Sequence, residues 1–234
     1  MAVREVPNLS EVTEQIADLW QLLTPEERDA FLPAISVHAY KKNELIYREG
    51  QSPDSLLCLL EGKVKIFRDG VGGRSQIMRL MRPVQYFGYR AYLAAEPYVT
   101  AAAAFEPSTV CSIPMRLVER AMKNNNDLCL FFVKELSIDL GISDCRMVSL
   151  TQKHIRGRLA ESLLFLKQTY GTDPEEGYIN IYMSREDLAN LSNMTTSNAI
   201  RTLSNFAAER LIEMDGRKIR LLEEETLLKI SRIG

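Results

Sequence analysis

The chain has 234 residues, 46% hydrophobic and 26% charged, with a formal net charge of −2. This balance suits one large or two small globular domains, and no apolar run is long enough for a membrane helix, so no membrane partner is expected. It also excludes nucleic-acid binding through bulk charge; any DNA contact must come from a local basic patch and fall steeply with salt. The first residues, Met-Ala-Val-Arg-Glu-Val-Pro-Asn, carry no apolar signal core, so no export signal and a cytoplasmic location are expected.

From about Asn8 to Ile35 the spacing of Leu19, Leu22 and Leu23 is helical, and Thr24-Pro25-Glu26-Glu27 reads as an N-cap, a Pro at the first helical position and acids in the first turn. From about Val37 to Ile113 short apolar runs alternate with turn signals. Leu56–Leu60 precedes Glu61-Gly62, then Val64, Ile66 and Phe67, then Asp69-Gly70 and Gly72-Gly73 ahead of Ile77–Met81. Strands are also expected over Ala101–Phe105 and Thr109–Ile113, the alanines leaving room inside. Many short strands at regular spacing predict an antiparallel barrel or jelly roll. Pro114 opens a short helix to about Met122, and Asn124-Asn125-Asn126 breaks it.

A long helix is expected over about Asp127–Thr151. Its apolar residues form no single stripe: Leu128, Phe132, Leu136 and Leu140 share one side, while Phe131, Ile138, Ile142 and Met147 lie on others. Such a helix is buried on more than one face. It packs either on the barrel and on a second chain, as in a two-stranded coiled coil, or wholly within a monomer. Cys58, Cys111, Cys129 and Cys145 form no CxxC pair and sit among apolar residues; buried free thiols are expected, not structural zinc or another metal site. Beyond the long helix, Ile155–Tyr170 is expected to be helical, with Leu159, Leu163, Leu164 and Leu166 inward. Gly171 ends it, the polar loop Thr172–Gly177 follows, and Tyr178–Met183 reads as a short strand.

The most informative stretch runs from Ser184 to Phe206. Ser184 is an N-cap with Glu186 and Asp187 in the first turn, and Leu188 and Leu191 form an inner face. Asn193 stands where a turn needs a residue tolerant of positive φ. Thr195 caps a second helix whose inward residues are expected to be Ala199, Ile200, Leu203 and Phe206. This is a helix-turn-helix pattern. Thr196, Ser197, Asn198 and Arg201 are left on the outer side near the helix start, the part that enters a major groove, and Arg201 can donate twice to guanine. Leu211–Leu222 alternates around Asp215-Gly216 as a hairpin, and Arg217, Lys218 and Arg220 give this wing positive charge for phosphates.

The order barrel, long helix, helix-turn-helix and wing resembles the CRP/FNR family of bacterial regulators. The resemblance covers nearly the whole chain. It is carried by Leu45-Ile46-Tyr47-Arg48-Glu49-Gly50, Leu59-Leu60-Glu61-Gly62-Lys63-Val64-Lys65-Ile66, Arg82-Pro83-Val84-Gln85-Tyr86-Phe87-Gly88, Gly157-Arg158-Leu159-Ala160 and the helix-turn-helix. It implies an α+β fold in three parts: an N-terminal helix and effector-sensing antiparallel jelly-roll barrel (1–126), a central dimerisation helix (127–152) and a winged helix-turn-helix (153–234). It also implies a homodimer on a two-fold site in double-stranded DNA, with recognition helices roughly 34 Å apart, and RNA polymerase as a further partner. Arg201 matches the family's guanine-contacting arginine. Thr196 and Ser197 match two preceding readers where a relative has Arg and Glu, so the operator sequence differs. Ser184 and Arg185 match backbone contacts. With Thr195, Asn198, Arg217 and Lys218 they complete the expected DNA-facing set.

Members that bind cyclic AMP place a glutamate after the glycine matching Gly88, and an arginine and serine to grip the cyclic phosphate. Here Tyr89 follows Gly88, and Val99 and Thr100 fill the other positions. Tyrosine offers no carboxylate and valine no bidentate bond to phosphate, although Arg90 is nearby. Gly88, Tyr89, Arg90, Val99 and Thr100 are therefore the expected surroundings of a different small-molecule effector or of none. No cysteine precedes Cys58, which argues against the iron–sulfur cluster of oxygen-sensing relatives. Haem stays open, with His38, His154, Cys58 or Met78 as axial candidates. The rival reading is a cyclic-nucleotide-type or haem-type module that regulates a protein partner. No catalytic motif is present, so no enzyme is expected.

Overall fold

The computed structural model describes residues 7–233; most of the stretch on which the export reading rests lies outside them. Contacts divide the chain into two compact units, residues 7–68 with 78–140 and residues 69–77 with 141–233. The division falls inside the long helix rather than at its ends. Among the described residues no helix is long and apolar enough to cross a membrane.

The first unit opens with α1 (Leu9–Gln15), α2 (Ala17–Trp20) and α3 (Pro25–Phe31). Asn8 and Thr24 each cap a helix, and Glu11 and Glu27 each return a bond to complete a capping box. Each such cap stabilises its helix by about 1 kcal/mol. Eight strands follow: β1 (Ser36–Tyr40), β2 (Leu45–Tyr47), β3 (Ser55–Glu61), β4 (Val64–Asp69), β5 (Ser75–Met81), β6 (Gln85–Phe87), β7 (Ala101–Ala104) and β8 (Ser108–Pro114). They form two four-stranded sheets, ordered β1-β8-β3-β6 and β2-β7-β4-β5. This is the jelly roll that the strand spacing predicts. A short helix that the sequence reading did not separate, α4 (Tyr89–Leu93), follows β6.

Strand β3 shows how the two cores are built. Successive side chains point to opposite faces, and both faces of β3 are covered. Leu56, Cys58 and Leu60 join Val12, Ile16, Leu19, Phe31, Tyr86, Leu128 and Phe132 outside the barrel, with Trp20 packed half-buried against them. Leu57 and Leu59 join Tyr47, Ile66, Phe87, Tyr98 and Ala102 inside it. Cys58 and Cys111 lie opposite each other in the β3–β8 register and are buried. Cys129 is half-buried and Cys145 exposed, so the expectation of four buried thiols fails for these two.

Helices α5 (Met115–Met122) and α6 (Asn126–Gln152) close the unit. Phe132 packs on Tyr89 with ring centroids 5.1 Å apart, Phe131 meets Tyr86 edge-on at 5.6 Å, and Arg79 pairs with Asp139 at 2.5 Å. These fix the first half of α6 on the barrel. Its other side is bare: Leu130 is 63% exposed, and Val133, Ile138, Leu140, Ile142, Met147 and Val148 are exposed too. A helix wholly buried in a monomer is thereby excluded. Leu140 belongs to this open side and not with Leu128 and Phe132.

The second unit contains α7 (Ile155–Tyr170), α8 (Arg185–Leu191), α9 (Thr196–Ala208), β9 (Ile212–Asp215), β10 (Lys218–Leu221) and α10 (Glu224–Ile233). Gly171 ends α7 at φ 68°, a left-handed conformation that favours glycine. The expected strand over Tyr178–Met183 does not form. Its side chains do alternate, Ile179, Ile181 and Met183 facing inward, but its backbone makes an isolated bridge, Thr172 to Ile179, and a bond from Ile179 N to Ile219 O at 2.9 Å, and no ladder. The final helix α10 was not expected. It lies against α7 and buries Leu227.

Candidate DNA interface and sensor interior

The helix-turn-helix is set by its caps. Ser184 Oγ accepts from the amide of Asp187 at 3.0 Å at the start of α8, and Thr195 Oγ1 accepts from Asn198 at 3.2 Å at the start of α9. The turn passes through Asn193 at φ 50°, as the sequence predicts, and Met194 N donates to Ala189 O at 3.0 Å. Leu188, Ala189, Leu191, Ala199, Leu203 and Phe206 are buried between the helices.

One expected inward residue is misplaced. Ile200 is 48% exposed, and Thr202 is buried in its stead. Ala199, Leu203 and Phe206 follow a 4-then-3 spacing, which carries the inward face past Thr202 and turns Ile200 outward. The outer face of α9 therefore presents Thr196, Ser197, Ile200, Arg201 and Ser204. Asn198 is half-buried, and its Oδ1 accepts from Arg201 Nη2 at 2.8 Å.

The wing is the β9–β10 hairpin, turning at Asp215 and Gly216. Its cations differ in availability. Lys218 Nζ donates to Glu176 at 2.6 Å, which holds its ammonium above the usual lysine range, and lies 5.3 Å from the Tyr178 ring. Arg220 pairs with Glu213, lowering that carboxyl, and donates to Glu176 O. Arg185 donates to Gly216 O at 2.9 Å, tying α8 to the wing turn. Arg217 at the turn is exposed. The surface is thus a reading helix carrying Arg201 beside a wing whose other cations are partly engaged by acids of the same unit.

Tyrosine side chains occupy part of the barrel interior. The rings of Tyr47 and Tyr98 stack with centroids 3.8 Å apart, and both are buried. Tyr47 stands opposite Ala102 in the β2–β7 register, so the room left by the alanines is taken by tyrosine. Burial raises the Tyr47 phenol above its usual range, and the neighbouring Thr100 offsets part of the rise. Burial pushes the Tyr98 phenol well above its usual range. Gly88 is tightly enclosed: a Cβ there would meet Ser55 O at 3.1 Å and Tyr98 Oη at 3.2 Å. Tyr89 points to Phe132 and away from the barrel interior, Arg90 is exposed and paired with Glu96 at 2.7 Å, and Val99 is exposed. The five residues expected around an effector are therefore not gathered on one pocket. A cavity of about 150 Å³ opens onto the inner-core residues Tyr47, Leu57, Tyr98 and Val110, with His38 and Asp54 also in its lining, and shares Ser55, Leu57 and Tyr98 with the surroundings of Gly88. Sequence reasoning missed it because its lining comes from distant segments.

The four axial candidates for haem have different settings. His38 lines the cavity, Met78 is exposed on β5, and His154 is the N-cap of α7. Cys58 is buried, and burial pushes its thiol well up, away from the thiolate that ligates iron. Among the described residues no cluster of three His, Cys, Asp or Glu could hold a metal ion.

A sensor-type barrel joined to a winged helix-turn-helix defines a DNA-binding regulator. Residues 37–125 match the cyclic nucleotide-binding domain and residues 157–230 the Crp-like helix-turn-helix domain. The chain belongs to the CRP/FNR family, which consists of transcriptional regulators and not enzymes. It is 26% identical over 201 residues to the global nitrogen regulator of Nostoc sp., covering 85% of this chain and 89% of that one. It is 22% identical over 218 residues to the CRP-like cAMP-activated global transcriptional regulator of Mycobacterium tuberculosis, covering 92% and 97%. The fold is similar to that of FixK2 from Bradyrhizobium japonicum, with a TM-score of 0.75 at 22% identity over 84% of this chain and 96% of that one.

Proposed function

We propose that this chain is a cytoplasmic, homodimeric transcription regulator that reads a two-fold DNA operator with α9 and answers to an effector other than cyclic AMP. The observation that carries the DNA reading is the outer face of α9, where Thr196, Ser197 and Arg201 stand clear of the core; Arg217 of the wing is exposed as well. Hydroxyls and a guanidinium on one helix face suit base edges and phosphates. Ser184, Thr195 and Asn198 position that helix through their caps and contacts, and Lys218 reaches phosphate once it leaves Glu176. Homodimerisation is supported by α6. Leu130, Val133, Ser137, Leu140, Asp144, Met147 and Thr151 are all exposed and follow the alternating 3-and-4 spacing of a coiled-coil seam. RNA polymerase is a partner by family likeness.

The cyclic AMP exclusion is supported by the residues at the positions matching the family's nucleotide grip: Tyr89 is turned to Phe132 of α6, and Val99 carries no charge. Calorimetric titration with cyclic AMP is expected to give no binding at micromolar concentration; micromolar binding overturns the exclusion. The DNA reading is tested by selection from a random duplex pool with the purified full-length chain. A two-fold motif is expected, and Arg201→Ala should cost about 1–3 kcal/mol on it and relax one guanine position. A pool that enriches nothing above scrambled DNA overturns the reading.

A further inference from the structure

We infer that Ile200 reads the C5-methyl group of a thymine within one or two base pairs of the guanine read by Arg201. The inference rests on the proposed docking of α9 in the major groove and adds a base preference to it. Ala199, Thr202, Leu203 and Phe206 fix the inward face of α9. Ile200, one residue on from Ala199 and so about 100° round the helix, is 48% exposed on its flank. Thr196 and Ser204 lie four residues away and Ser197 three, so all three flank Ile200 on one helical face, with Arg201 beside it. A lone exposed isoleucine is unremarkable on a protein surface. This one stands amid the hydrogen-bonding side chains that face DNA, on a helix where alanine would be the better helix former.

The chemistry of the groove selects its partner. Among base edges in the major groove, only thymine presents an apolar group, its methyl; the others present donors and acceptors. Against a G·C pair, Ile200 would strip water from polar edges and return no bond. It therefore favours thymine by contact and penalises the alternatives by desolvation, two effects that act in the same direction. The distance to the guanine follows from geometry. Adjacent Cα atoms are about 3.8 Å apart and base pairs rise about 3.4 Å, which places the two readings on neighbouring or next-neighbouring pairs.

The test acts on the DNA, so the protein is unchanged. On the selected operator, each thymine of one half-site is replaced in turn by deoxyuridine, which deletes only the methyl. Binding of the full-length chain is measured by fluorescence anisotropy at fixed salt. One position within two base pairs of the Arg201 guanine should lose about four-fold in affinity, the factor expected for one buried methyl. In Ile200→Ala that same replacement should change affinity by less than roughly 1.5-fold, while the guanine preference persists. The inference is overturned if the deoxyuridine penalty is equal in wild type and Ile200→Ala. It is overturned too if no thymine responds while Arg201→Ala still abolishes the guanine preference; α9 then docks without Ile200 reading a base. If Arg201→Ala also leaves that preference intact, groove docking itself fails and the inference with it.

Discussion

The exposed side of α6 gives a quantitative expectation for Leu140→Ala. Leu140 is 63% exposed in the single chain and sits midway along the 3-and-4 seam between Val133 and Met147. Fully burying a leucine stabilises by about 1.5–3 kcal/mol, so burying the exposed 63% in a dimer contributes roughly 1–2 kcal/mol per chain. Two copies meet at a two-fold seam, and the dimer should weaken by roughly 2–4 kcal/mol, a factor of about 30 to 1,000 in Kd. Alanine is a good helix former and removes no buried contact from the chain itself, so the fold should be untouched. Sedimentation equilibrium over a wide concentration range measures the shift, and circular dichroism checks the fold. If Leu140→Ala and Val133→Ala both dimerise like wild type, this face of α6 is not the seam. The same result would remove the structural support for a two-fold operator.

Other expectations concern the wing, the caps and the cysteines. Glu176→Gln should tighten binding to operator and scrambled DNA alike and steepen the salt dependence, because Lys218 loses the charge of its ion-pair partner; anisotropy at several salt concentrations reads both, and weaker binding would contradict it. Arg217→Ala should reduce the logarithmic salt slope by about 0.9 without changing the base preference, as loss of one phosphate contact requires. Thr195→Ala should destabilise the second unit by about 1 kcal/mol, visible as a lower urea midpoint. Iodoacetamide at pH 8 should modify Cys145 first and leave Cys58 and Cys111 protected until the chain unfolds. The Cys111 thiol is pushed up to about 12 by burial from the usual 9.0, so its neutral form stabilises the fold at lower pH. That contribution should be lost as pH rises between those two values. Rapid native labelling of Cys58 or Cys111, read by peptide mass, would contradict the burial argument.

Much of the fold was legible because patterns that depend on near neighbours survive in the sequence. The caps at Thr24, Ser184 and Thr195, the positive-φ turn at Asn193 and the wing at Asp215-Gly216 all formed as read. What failed required knowledge of distant partners. Tyr178–Met183 alternates like a strand and does bury alternate side chains, but a strand also needs a neighbour along its length, and only Ile179 finds one. The sequence leaves Ala199 and Ile200 as equal starts of a 3-and-4 stripe because they are adjacent; the packing of Thr202 turns Ile200 outward. Glu224–Ile233 carries an amphipathic pattern, but the hairpin before it drew the end of the domain too early. The alanines of β7 imply space inside the barrel, and nothing local to them says that Tyr47 and Tyr98 take part of it.

The half-buried Trp20, packed on the outer core of the first unit, is the sole tryptophan of the chain. Its emission is therefore a built-in optical reporter of that unit alone, and residues 141–233 are dark in the same channel. Far-ultraviolet dichroism, dominated by helices on both sides of the division, follows the two together. Melts recorded by both signals on unlabelled protein would separate the two transitions. Repeating them with operator bound would show, from whether the gap closes, how firmly DNA held by the second unit stabilises the first.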